Sequence, residues 1–160
     1  MSTERVDYGS PEGCLIKGRH REVISGLGST RQLEAYESGA LVLFDDAAGH
    51  VITLPTPVVG MEFEFLVTVA VTSNAHKVIT KTVASEFLVG GVIMGDVTVA
   101  QSGDYFEANG TDIVAISAAG STTGGLLGER YKVTAISTTQ WAIEGVCHGA
   151  GTLATPFATS

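Results

Sequence analysis

"LPTPVVGMEFEFLVTVAV", Leu54 to Val71, carries the clearest structural signal in the chain. Two prolines and a glycine open it, and the side chains then alternate. Met61, Phe63, Phe65, Val67, Val69 and Val71 fall on one face of an extended segment. Glu62, Glu64, Thr68 and Thr72 fall on the other, with Leu66 and Ala70 among them. A period of two belongs to a strand with one dry side and one wet side. Glu62 and Glu64 share the wet side, which explains them better than a catalytic carboxylate pair does.

Outward from this strand, short apolar runs recur between turn residues. "TSNAH" reads as a turn, and "KVITKTV" as the returning half of a hairpin with the quoted strand. On the N-terminal side, "ALVLFDD" and "VITL" read as strands, the second stopped by Pro55 and Pro57, which cannot donate to a ladder. "TRQLEAYESG" fits either a short helix or a two-residue period. "EFLVGGVIMGDVTVA" is the most apolar part, and Gly90 and Gly91 predict a bend or bulge in it. "ANG" marks a turn, "TDIVAIS" a strand and "AAGSTTGGLLG" a glycine-rich loop. In "ERYKVTAISTTQWAIEGV", Tyr131, Val133 and Ala135 line one arm of a hairpin, and Trp141, Ile143 and Gly145 line the other. Strands spaced roughly 8 to 12 residues apart, with no convincing amphipathic helix, predict an all-β domain. The expected architecture is an antiparallel β-sandwich or barrel, jelly-roll-like, over residues 30–160. Residues 1–29, punctuated by glycines and holding only short apolar pairs, are expected to form an extended N-terminal arm.

Composition narrows the function. The chain has 160 residues, 44% of them apolar and only 16% charged, so part of its surface is expected to be covered by a partner. A net charge of −8 argues against a nucleic-acid groove. Basic residues do gather at Lys17, Arg19, Arg21 and Arg31, beside His20, which reads as a solvated segment or, more sharply, as a contact for an acidic protein surface. Cys14 and Cys147 make no disulfide framework and read as free thiols. The N-terminal residues lack the apolar core of a secretory signal, and no apolar run approaches the ~20 residues of a membrane helix. No membrane partner is therefore expected.

Motifs for chemistry are weak throughout. "GLGSTR" has two glycines of a dinucleotide fingerprint, but Arg31 stands at the third and no βαβ pattern surrounds it. His20, His50, His76 and His148 are scattered, and no serine sits in a nucleophile elbow. The reading is a non-enzymatic protein with no catalytic or metal residues and no cofactor.

The succession "SGALVLFDDAAGHVITLPTPVVGMEFEFLVTVAVTSNAHKVIT", followed by "GTDIVAIS", "GSTTGGLLGERYKVTAISTTQWAIEG" and "ATPFATS", resembles the small virion structural proteins of tailed bacteriophages. The likeness spans roughly residues 38–160. It implies a head protein of the cement or decoration type, bound to the capsid exterior, made in the host bacterial cytoplasm, and commonly trimeric. Its partners would be the major capsid protein and further copies of itself. A tail or fibre-associated receptor-binding module is the alternative, because such modules share the Leu-Pro-x-Pro-x-x-Gly-x-x-Phe element. Interface candidates on this reading are Leu15, Ile16, Lys17, Arg19, Arg21, Val23 and Ile24 in the arm. Phe87, Leu88, Val92, Ile93 and Met94 in the most apolar strand complete the set.

Overall fold

A computed structural model describes residues 21–160. Twelve strands form there. They are β1 (Val23–Ile24), β2 (Thr30–Gln32), β3 (Leu41–Phe44), β4 (Val51–Thr53), β5 (Glu62–Val67) and β6 (His76–Ile79). The second half adds β7 (Phe87–Asp96), β8 (Gly103–Asn109), β9 (Ala115–Ala118), β10 (Arg130–Ala135), β11 (Gln140–Gly149) and β12 (Phe157–Ala158). Among the described residues the one helical piece is a 3-10 turn, Ala35–Glu37, so "TRQLEAYESG" divides between strand β2 and that turn.

The strands make two sheets, ordered β1-β3-β5-β10-β11-β7-β8 and β12-β9-β6-β4-β2. Phe44, Phe63, Phe65, Leu88, Trp141 and Ile143 project from the first sheet into a continuous core. Ile52, Val78 and Ile116 meet them from the second. The chain is thus the all-β sandwich that its alternation predicts. Burying each large side chain stabilises the fold by about 1.5–3 kcal/mol.

The pairings are mixed rather than uniformly antiparallel. β1–β3, β3–β5, β2–β4, β4–β6 and β7–β11 run parallel. From β1 to β6 the chain alternates between sheets at every step, so each strand returns beside its predecessor-but-one in the same direction. Those residues wind as a coil around half of the core. From β10 to β11 the chain instead turns back on itself, and the expected hairpin is present from Arg130↔Val146 to Ala135↔Trp141.

The hairpin expected after the opening stretch is absent. β5 pairs with β3 and β10, while β6 lies in the opposite sheet. The reason is local. At the end of β5 the amides of Thr68 and Val69 both donate to Phe44 O, and the chain leaves the sheet there, with Val69 exposed. The bulge expected at Gly90–Gly91 is also absent, because β7 pairs residue for residue with β11 from Phe87 to Asp96. Gly91 serves a close approach instead, since a Cβ there would collide with the Tyr105 ring.

Residues 21–29, placed in an arm by the sequence, are attached to the domain. β1 pairs with β3, and Ile24 and Leu27 are buried in the core. The Arg21 guanidinium donates to Gly39 O at 2.6 Å and to Ala40 O at 2.9 Å, and it pairs with Glu64.

Candidate interaction surface

The register of the seven-stranded sheet fixes what its outer face presents. One cross-strand row runs Leu43, Leu66, Arg130, Val146, Ile93, Tyr105. The next row runs Leu41, Glu64, Lys132, Glu144, Gly91, Glu107. In the first, Val146, Ile93 and Tyr105 are neighbours on adjacent strands and are 50%, 58% and 63% exposed. Tyr105 lies back across Gly91, its hydroxyl 3.4 Å from Gly90 O. Large apolar side chains aligned in register on a wet face are a contiguous patch, which is more informative than the same residues scattered singly.

Ion pairs border the patch. Glu64 sits between Arg130 and Arg21, and these two guanidinium groups, Arg130 first, hold its carboxyl down to about 2 against partial desolvation. Lys132 Nζ lies 3.0 Å from Glu62 Oε2. A shallow hollow lined by Glu64, Arg130, Lys132, Glu144 and Val146 opens between β5 and β11.

At the C-terminal end of β11 three loops converge. Val97 N donates to Gly149 O at 2.9 Å, Ala150 N donates to Ser121 O at 3.2 Å, and Gly151 N donates to Thr98 Oγ1 at 3.3 Å. His148 Nδ1 lies 3.3 Å from Leu127 O. This end therefore presents Val97, Val99 and Leu127 to solvent at 60%, 54% and 67% exposure.

Glu129 sits beneath the glycine-rich loop and is fully buried. Its Oε2 accepts from Gly125 N at 2.7 Å and from His148 N at 3.3 Å, tying the loop to β11. Gly124 is required here, because a Cβ would press on that carboxylate. Loss of water around Glu129, only partly offset by these donors, lifts its pKa to about 7. Burial likewise raises the Cys147 thiol and the Tyr131 phenol. Among the described residues, Glu129 Oε1 and Tyr131 Oη find no hydrogen-bond partner.

A second buried polar group lies at the same strand end of the core, beside β3 and β6. His50 and His76 stack with ring centroids 5.6 Å apart, and Phe44 stacks on His76 at 4.6 Å. His50 Nδ1 reaches Gly28 O at 2.5 Å, and its Nε2 lies 3.2 Å from Asp45 Oδ1, near but not aligned for a hydrogen bond. His76 Nε2 meets Val69 O at 3.0 Å, and desolvation lowers its pKa. The pair thus pins three loops. Among the described residues no three His, Cys, Asp or Glu side chains group as metal ligands, and no helix is long and apolar enough to cross a membrane.

The sequence-based interface set divides sharply. Leu15, Ile16, Lys17 and Arg19 lie outside the described residues. Ile24, Leu88, Val92 and Met94 are corrections: each is buried in the chain's own core and presents nothing to a partner. Phe87 is half-buried, Val23 is exposed at the sheet edge, and Arg21 is held by Glu64. Of the set's described members, Ile93 alone joins the exposed row. Its companions Val146 and Tyr105 were missed because they look like ordinary strand residues. The signal that finds them is cross-strand register, which a single strand does not carry.

No protein-family model, curated protein or solved structure matches this chain.

Proposed function

We propose that the protein is a bacteriophage head decoration protein that binds the outer capsid surface as an oligomer and stabilises the lattice. One observation carries the reading together with the phage-like sequence motifs. A sandwich whose core is already complete still exposes Val97, Val99 and Leu127 on converging loops. Such an end is unfavourable in water, and covering it with a partner lowers the free energy.

The mechanism is linkage. A ligand that binds the assembled lattice better than loose subunits stabilises the lattice by its binding free energy. Several copies held together turn weak single contacts into avidity. The major capsid protein is the partner, and the capsid exterior is the location.

The test mixes the purified full-length protein with expanded capsids that lack it and follows co-sedimentation. Wild-type protein pellets with capsids and delays their thermal disruption, whereas the triple variant Val97→Asp, Val99→Asp, Leu127→Asp stays in the supernatant while melting normally. Wild-type protein that ignores capsids, or virion labelling confined to the tail, overturns the reading. Tail labelling would favour the receptor-binding alternative.

A further inference from the structure

We infer that the outer face of the seven-stranded sheet is a two-fold docking surface for a second copy of this chain. The argument is the charge and shape of the two rows. The centre of the face is the β11–β7 pair, flanked by β10 on one side and β8 on the other. A two-fold axis lying between two such faces, parallel to the strands and midway between β11 and β7, exchanges the flanks while keeping each row level. Val146 then meets Ile93 of the second copy, closing the apolar row over itself. Arg130 meets Tyr105, a cation over an aromatic face. In the next row Lys132 meets Glu107, opposite charges at the same level. All these positions follow from the observed registers.

A contact of this kind is isologous, and each favourable pair is made twice. Its size is adequate. β7 and β11 are 10 residues long, about 33 Å at ~3.3 Å per residue, and four strands are about 19 Å wide. Because β10 has 6 residues and β8 has 7, the footprint is about 500 Å² per partner, or about 1,000 Å² in total, at the lower bound for a specific interface. The inference concerns the protein free in solution and does not rest on capsid binding, so capsid co-sedimentation and the experiment below fail independently.

The experiment is sedimentation of the full chain across a concentration series, with thermal melting as a check on folding. Wild type sediments as a dimer, or as a larger assembly built from dimers. I93E weakens association by roughly a hundredfold or more, because it sets a charge against an apolar row. E107K weakens it by about tenfold or more by facing Lys132 with a like charge, and E107K combined with K132E recovers most of the loss. Mixed I93C and V146C chains oxidise to one-to-one linked dimers above the wild-type background. A monomer at ~100 µM overturns the inference, whether solvent or residues 1–20 cover the row. An assembly unmoved by I93E and by the charge exchange overturns it equally.

Discussion

Glu129 and Glu64 hold the same carboxylate on opposite sides of one sheet, and their surroundings drive them in opposite directions. Glu64 lies on the outer face, between two guanidinium groups, with its pKa at about 2. Glu129 lies one residue before Arg130, yet it faces the interior beneath the glycine-rich loop, with its pKa near 7. Water and counter-charges favour the ion on one side, and their loss favours the neutral acid on the other. A single step along an alternating strand therefore exchanges one regime for the other.

The coarsest way to break this contrast is to truncate one residue on each side of β5. Phe63→Ala, on the dry side, is expected to cost roughly 3–5 kcal/mol, and Leu66→Ala, on the wet side, about 1 kcal/mol or less. Denaturant melts of the two variants decide it, and equal losses would mean that the faces are misassigned.

The contrast also has a pH signature. Between pH 4.5, the ordinary value, and about 7, folded Glu129 holds a proton that the unfolded chain releases. Its contribution is complete below that window and falls as pH rises, by roughly 3 kcal/mol in all. Glu64 works the other way. Its contribution is present above about 4.5 and is lost as pH falls towards 2. His76, with its lowered value, loses stability as pH falls below 6.5. The clean measurement is a difference. Glu129→Gln should gain on the wild type by roughly 3 kcal/mol between pH 4 and pH 8 in paired melts. A gap that stays constant with pH would place Glu129 in a wetter site.

Sharpening the outer side takes a smaller perturbation. Arg130→Ala should cost under about 1 kcal/mol, since its side chain is 54% exposed and the pair is screened by solvent. The Glu64 carboxyl should move back towards its usual range in an NMR titration, with Arg21 retaining part of the shift.

The candidate surface shows what kind of inference each level allows. Val97 and Val99 stand in the sequence beside Ile93 and Met94, yet Met94 is core and the other three are exposed. Hydrophobicity alone does not separate them. Strand parity does so within β7, and the loop that follows obeys no parity at all. Val146 and Tyr105 become one row with Ile93 only because β11 and β8 flank β7.

By itself the sequence determined the all-β class, the dry face of Phe63 and Phe65, and the Arg130–Val146 hairpin. These depend on side-chain period and on turns, both encoded within a few neighbouring residues. Only the tertiary structure decided that β5 joins β3 and β10 instead of β6, that the first six strands coil between two sheets, and that β11 lies parallel to β7. Alternation states which side of a strand is buried but not which strand will lie beside it. Pairing at long range is settled by the packing of the whole core, where many side chains must fill one volume together.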